Sequence, residues 1–121
     1  MSKPVLVKKN AKNYDLFTMK DVLAVESAPL EFRDVTCNNF ELAPHCGFAP
    51  QTHDDKLEVV TAVPTGPTEG PIVRYSDAAG GYAIELEAYD SIIIPRGIQH
   101  QAQNLCDCLV ILIITNFSYK D

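Results

Sequence analysis

The chain has 121 residues, of which 46% are hydrophobic and 21% charged, enough for one globular domain with a sizeable core. Its formal net charge is −6, and its longest aliphatic run spans only Leu109 to Ile114. A bilayer span needs about 20 apolar residues, and a negative chain is repelled by phosphate backbones and anionic membranes. We therefore expect neither membrane insertion nor nucleic-acid binding. With no secretory signal pattern in the sequence, we expect a cytoplasmic location.

The start of the chain differs in charge from the rest. Residues 1–13 contain four lysines and no acidic residue, which is typical of a solvated terminus. We predict a flexible basic arm over residues 1–13 and a single domain over residues 14–121. The segment from Tyr14 to Val25 fits either a short N-terminal helix or a strand, because its apolar spacing suits both.

Polar side chains that could bind a metal are concentrated after Pro50. Gln51 and His53 are two residues apart and would face the same way on a strand. Glu58 follows His53 by five residues, so an unbroken strand would place the two on opposite faces. A turn at residues 54–56 can reset this alternation, after which Glu58 would point inward with Val60 and Ala62.

The second half of the chain consists of short apolar stretches between turn residues. Tyr82 to Ala88 alternates apolar and mostly acidic positions, which predicts a strand with one buried face. Ile72 to Tyr75 precedes it across a glycine-containing loop, which predicts a hairpin. Leu109 to Ile114 is apolar on both faces and predicts a central, covered strand. Many short strands and little helix predict an all-β sandwich or barrel.

The segment from Ile92 to Asn104 combines a buried strand, a turn and a histidine. The strand ends at Pro95, which cannot donate to a sheet, and Gly97 accepts backbone angles closed to other residues. On the next strand, His100 and Asn104 share a face with an alanine. A histidine on such an inward face must be hydrogen-bonded or bind a ligand. Asn104 is expected to hold the turn by hydrogen bonds.

The four cysteines do not form a disulfide framework. Cys37 and Cys46 stand apart, whereas Cys106 and Cys108 would share a strand face and be poorly placed to bridge each other. We expect reduced thiols in a reducing compartment.

The spacing of Pro95, Gly97, His100 and Asn104 resembles the second motif of the cupin superfamily. In that motif a glycine stands six residues before the proline. Here that position holds Tyr89 and is followed by the usual aspartate, Asp90. The resemblance implies the cupin double-stranded β-helix, a jelly-roll barrel of two antiparallel sheets, and a homodimer.

Residues 45–66 resemble the first cupin motif less completely. His53 and Glu58 fall on its second histidine and its glutamate. The departures are Gln51 in place of the first histidine, His45 in place of the leading glycine, and Gly66 one residue late.

The resemblance implies one divalent metal ion inside the barrel, held by Gln51, His53, Glu58 and His100. If Gln51 binds the metal, its amide oxygen completes a set of four ligands. If it does not, the remaining two histidines and one carboxylate form a set that suits non-haem Fe(II) and dioxygen.

The leading functional hypothesis is a metal-dependent enzyme acting on a small polar metabolite, with a non-haem Fe(II) dioxygenase ranked first. A zinc- or manganese-dependent isomerase, lyase or cyclase is the alternative within the enzymes. A non-catalytic cupin that binds a small molecule is the alternative from another class. The sequence identifies no catalytic acid or base.

Overall fold

The computed structural model describes residues 3–10 and 32–120, and the regular elements in these ranges are all β-strands. The segment Tyr14 to Val25 lies outside the described residues. The nine strands described are β1 (Val5–Val7), β2 (Phe32–Leu42), β3 (Gly47–Gln51), β4 (Lys56–Pro64), β5 (Pro71–Ser76), β6 (Ala83–Glu87), β7 (Ser91–Ile94), β8 (His100–Asn104) and β9 (Val110–Tyr119). No helix that could cross a bilayer occurs within these ranges.

The strands form two antiparallel sheets that enclose the core. One sheet has the order β1-β7-β4-β9-β2 and the other has the order β3-β8-β5-β6. Apolar side chains from both sheets, including Val60, Tyr75, Ile92 and Leu112, form one buried cluster. The predicted all-β jelly-roll architecture is confirmed.

The buried and exposed side chains of β6 and β9 lie on the faces that the sequence predicted, except on the outward face of β9. On β6, Leu86 is buried while Glu85 is exposed, and β6 pairs with β5 as the predicted hairpin. β9 lies between β4 and β2, so its central position is confirmed. Its outward face is not fully covered, because the side chain of Ile113 is 37% exposed.

The prediction of a flexible arm is wrong for residues 5–7. Val5–Val7 pairs with β7, and Val7 packs with Leu57, Ile93 and Tyr119 in a second buried cluster on the other face of the sheet. A strand of three residues is too short to show a period in the sequence. The apolar residues at its two ends are nevertheless enough to add β1 to the edge of the sheet.

A fully buried carboxylate fixes the end of β1 to the turn before β7. Asp90 Oδ2 accepts hydrogen bonds from Lys8 Nζ at 2.7 Å and from the Glu87 backbone N–H at 2.8 Å, and Oδ1 accepts one from the Lys9 backbone N–H at 2.9 Å. Burial alone would raise the pKa of the Asp90 carboxyl, but these hydrogen bonds and the Lys8 charge outweigh it and lower the pKa.

We expect Asp90→Asn to destabilise the protein by about 2 kcal/mol at neutral pH, since buried backbone N–H groups lose an ionised acceptor. The lowered pKa means that the ionised carboxylate stabilises the fold above the unfolded-state pKa of about 3.9, and that this contribution is lost as the pH falls through the folded-state pKa. The difference between variant and parent in urea denaturation should therefore shrink below about pH 4. Glu87→Gln removes only the exposed partner of Lys8 and should change little. A difference that is unchanged at pH 3 would contradict this account.

Two residues other than glycine adopt left-handed backbone angles in the described ranges. Tyr89 has φ of 69° and His45 has φ of 57°. Both residues stand at positions where the cupin motifs have glycine. Gly97, which does match the motif, has φ of 80°. The turns thus keep the backbone conformation that the motif glycines allow, although the chain places side chains there.

Candidate metal centre

The turn between β7 and β8 positions His100 against the loop that carries His53. β7 ends at Ile94, and the Gly97 backbone N–H donates a 2.7 Å hydrogen bond to the His53 carbonyl oxygen. The chain then enters β8 at His100, whose side chain is buried, as are those of Ala102 and Asn104. The predicted inward face of β8 is confirmed.

Three side chains converge at this end of the barrel. His100 Nε2 lies 3.1 Å from Glu58 Oε1, and His53 Nε2 lies 3.5 Å from the same oxygen. One ligand atom from each of the three residues falls within 4.8 Å of the others. Glu58 is buried on the same face of β4 as Val60, so the predicted reset of alternation at residues 54–56 is confirmed.

The contacts of Glu58 with the two histidines are not hydrogen bonds. His100 Nδ1 lies 3.1 Å from the Ile98 carbonyl oxygen, which can only accept, so Nδ1 carries the proton. In the neutral ring, Nε2 then has a lone pair directed toward Glu58. Glu58 Oε1 is buried and accepts no hydrogen bond within the described part of the chain. Lone pairs facing one another at this distance repel unless a cation lies between them.

The charge environment favours the forms that bind metals. Burial is the main cause that lowers the pKa of His53, so its ring is neutral at pH 7 and can donate a lone pair. Burial would raise the pKa of Glu58, but the close approach of His100, with His53 adding to it, lowers the pKa overall, so the carboxylate is ionised at pH 7. A carboxylate and two neutral imidazoles are the forms in which these residues act as ligands.

The distances fit a divalent ion. Ligand atoms about 2.1 Å from a metal and about 90° apart around it are separated by about 3.0 Å. The separations of 3.1 and 3.5 Å at Glu58 Oε1 are close to this value. The Nδ1–H bond to the Ile98 carbonyl is also the outer contact that commonly orients a metal-binding histidine. His53, Glu58 and His100 could therefore hold a metal.

A small cavity of about 60 Å³ adjoins these residues, and its lining is mostly apolar. Gln51 contributes to the lining and is the strand partner of His100 in the β3–β8 pairing. It thus lies at the site, as its place in the sequence suggested. Whether it binds a metal remains a prediction.

Sequence reasoning assigned no role to several side chains around the site. Tyr75 lines the cavity, and its ring lies 6.4 Å from that of His100; Phe48 and Phe40 complete an aromatic wall. Asn116 is buried on β9, directly opposite Glu58 on β4, and its Oδ1 has no hydrogen-bond donor among the described residues. Strand parity alone could have placed Tyr75 inward, but Asn116 required the register between β4 and β9.

His45 and Asn104, which stand at cupin motif positions, lie away from the candidate metal centre. His45 is exposed in the β2–β3 loop, where its Nε2 lies 2.7 Å from Asp107 Oδ1. Asn104 holds the far end of β8, donating through Nδ2 to the carbonyl oxygens of Leu42 and Cys108 at 2.9 Å each. Its predicted structural role through hydrogen bonds is confirmed, but the turn that it holds follows β8 and is not the turn at Pro95 and Gly97.

Comparison with known proteins gives structural relatives only. No protein-family model and no curated protein matches the sequence. An uncharacterised protein with a double-stranded β-helix domain from Klebsiella pneumoniae is 20% identical, with a TM-score of 0.58 over 74% of this chain and 71% of that one. A predicted oxalate decarboxylase from Thermotoga maritima is 12% identical, with a TM-score of 0.56 over 97% and 93%.

Oxalate oxidase in complex with glycolate is 21% identical, with a TM-score of 0.54 over 69% of this chain, which matches only 42% of that protein. At these identities the likeness concerns the fold, and one fold carries many activities. Together with the strand order, the comparisons show that this chain has the double-stranded β-helix fold that cupin domains share.

Proposed function

We propose that the protein is a metal-dependent enzyme that acts on a small polar metabolite, and that its activity is that of a non-haem Fe(II) dioxygenase. The observation that carries this proposal is the convergence of two histidines and one carboxylate, His53, His100 and Glu58, on one point. Two histidines and one carboxylate, with the remaining positions open, are the ligand set of many Fe(II) oxygenases. When bound, Fe(II) would supply open positions for substrate and dioxygen and the electrons for dioxygen activation.

The substrate class that this site favours is a small carboxylate. A single carboxylate ligand leaves positive charge on a divalent ion, which attracts an anion. The cavity of about 60 Å³ has room for only a few atoms beside the ligands. Oxalate oxidase with glycolate and a predicted oxalate decarboxylase are among the proteins with this fold, which supports small carboxylates as the first compounds to test.

The other lining residues would orient the substrate and exclude water. Burial is the main cause that raises the pKa of the Tyr75 hydroxyl far above its usual value, so it stays protonated and can donate a hydrogen bond. The Gln51 amide can donate or accept. Phe40 and Phe48, whose rings lie 5.7 Å apart, cover the cavity with apolar surface.

The lining supports an oxygenase over an isomerase or lyase. An isomerase needs a general base that moves a proton on the substrate. Apart from His53, Glu58 and His100, the polar residues that line the cavity or pair with Glu58 on the neighbouring strand β9, among the described residues, are Gln51, Tyr75 and Asn116. Two of these are amides, and the third is held protonated. A reaction driven by dioxygen at the metal does not need a further base from the protein.

Oxygen uptake tests the proposal directly. Protein loaded with Fe(II) without air would be mixed with oxalate, glycolate, malonate or pyruvate and then exposed to dioxygen in an electrode cell. We expect one of these compounds to be consumed together with dioxygen, and Glu58→Gln to abolish the uptake. Consumption of a compound by Zn(II)- or Mn(II)-loaded protein without oxygen uptake would overturn the oxygenase in favour of the isomerase or lyase. Reversible ligand binding with no product under any metal would instead indicate a non-catalytic binding protein.

A further inference from the structure

Two cysteine thiols face each other at the end of β8 opposite the candidate metal centre. Cys106 and Cys108 lie in the turn from β8 to β9, with their Sγ atoms 3.5 Å apart. The expectation that they share a strand face is wrong, because β8 ends at Asn104 and the chain then bends. His100 stands at the other end of the strand, about 13 Å before Asn104. The thiol pair is therefore separate from the proposed metal ligands.

The amide of Asn104 fixes the bend that brings the thiols together. Its Oδ1 accepts a hydrogen bond of 2.8 Å from the Cys106 backbone N–H and lies 3.0 Å from Cys106 Sγ. Its Nδ2 donates to the Cys108 carbonyl oxygen. One fully buried side chain thus holds both cysteines of the pair. Their approach is a built feature of the turn.

The two thiols have different surroundings. The Cys106 S–H has an acceptor in Asn104 Oδ1, and burial is the main cause that raises the pKa of this thiol. At Cys108, burial would raise the pKa, but the neighbouring Cys106 thiol and the polar groups of Thr65 and Gly66 outweigh it and lower the pKa. Hydrogen bonds to sulfur favour the thiolate, which is the nucleophile in disulfide exchange. Because the Cys106 thiol is held by Asn104 Oδ1, we assign Cys108 as the attacking group and Cys106 as the resolving one.

The contact between Cys108 and the β4–β5 loop is close but leaves room for a reagent. A Cβ added to Gly66 would lie 3.5 Å from Cys108 Cβ, so the loop backbone packs beside this side chain. Both cysteines remain partly exposed. A small disulfide can reach Cys108 from solvent while the loop stabilises its thiolate.

We propose that Cys106 and Cys108 form a reversible redox dithiol that exchanges with low-molecular-weight disulfides and closes an intramolecular disulfide. The Cys108 thiolate attacks one sulfur of the small disulfide, forms a mixed disulfide and expels one small thiolate. Cys106 then loses its proton and attacks the Cys108 sulfur, which expels the second small thiolate. The two released thiolates take up the two protons. The cysteine pair is oxidised by two electrons, and the small disulfide is reduced to two thiols.

The geometry needs only a small change for this step. A disulfide has a sulfur–sulfur bond of about 2.05 Å, so the two Sγ atoms must approach by about 1.5 Å. Rotation of the side chains and a small shift of the exposed bend can supply this movement. Closure would remove the S–H from Asn104 Oδ1 while leaving the backbone hydrogen bond from Cys106 in place.

Glutathione disulfide is the probe for the test. Cys37 and Cys46 are exposed, so the double variant Cys37→Ser/Cys46→Ser isolates the pair. This variant would be equilibrated with mixtures of oxidised and reduced glutathione, quenched with acid, alkylated and digested with trypsin. The peptide of residues 97–120 contains both thiols and no other cysteine. We expect this peptide to lose two hydrogen atoms and take up no alkyl group, and we expect reduced glutathione to reverse the change.

Single variants and unfolded protein provide the controls. In Cys106→Ser, Cys108 should accumulate as a mixed disulfide with glutathione. In Cys108→Ser, Cys106 should react about tenfold more slowly, since it lacks the thiolate environment. The pair should also be oxidised at a glutathione ratio about tenfold more reducing in the folded protein than in urea. Full alkylation of both thiols after equilibration with excess oxidised glutathione would overturn the proposal, as would equal oxidation of the folded and unfolded chains.

Discussion

Protein carrying His100→Ala is expected to lose its metal, with Fe(II) affinity reduced by about 100-fold or more, because a ligand is removed rather than an outer contact. The parent should contain about one equivalent of metal when purified without chelators. The variant should contain almost none, since only Glu58 and His53, with at most the Gln51 amide oxygen, would remain to hold the ion. Elemental analysis followed by Fe(II) titration measures both values.

A histidine outside the centre provides the matched control. His45 is exposed and lies against Asp107, and His45→Asn keeps a residue that tolerates its left-handed backbone. This variant should retain the metal. Equal metal content in His100→Ala and the parent would show that the ion is bound elsewhere.

Gln51→Leu separates the two ligand sets that the sequence left open. If the Gln51 oxygen binds the metal, Fe(II) affinity should fall by about tenfold, as for the loss of one weak neutral ligand. If the set is formed by His53, Glu58 and His100 alone, affinity should be unchanged.

A large loss of stability is expected from a substitution of Asn104, at the end of β8 opposite His100. Asn104→Asp preserves the shape of the side chain and its Oδ1 acceptor, but replaces the donor Nδ2 with an oxygen. That oxygen would face the carbonyl oxygens of Leu42 and Cys108, each 2.9 Å from Nδ2 in the parent. A buried carboxylate whose second oxygen has no donor, together with two unpaired carbonyls, should cost about 4 kcal/mol of unfolding free energy.

Urea denaturation of Asn104→Asp and Asn104→Ala at several pH values measures this cost. The aspartate variant should recover part of its stability at acidic pH, because a protonated carboxyl can donate one hydrogen bond. Asn39→Asp, at an exposed position of β2, should change the unfolding free energy by less than about 0.5 kcal/mol. Similar losses at positions 39 and 104 would contradict the structural role of Asn104.

Local patterns predicted the fold and three of the candidate ligands. The turn at Pro95 and Gly97 fixes where β7 ends and where His100 begins the next strand. The alternation after residues 54–56 placed Glu58 inward, and the structure brings it to His100. These inferences succeeded because each depends on residues within one strand or one turn.

Features that depend on distant segments could not be predicted in this way. Asn116 lies beside Glu58 only because of the register between β4 and β9. β1 joins the sheet only because β7 offers a free edge and Asp90 offers an acceptor to Lys8. The approach of Cys106 to Cys108 depends on the amide of Asn104. The homodimer, the small-molecule substrate and the cytoplasmic location stay predictions.

The left-handed backbone at Tyr89 and His45 has a consequence for the stability of the fold. A left-handed residue with a Cβ costs about 1–2 kcal/mol relative to glycine, so each of these two turns carries local strain. The same cost makes both positions natural targets for engineering, since a glycine at either would relieve conformational strain without touching the barrel interior.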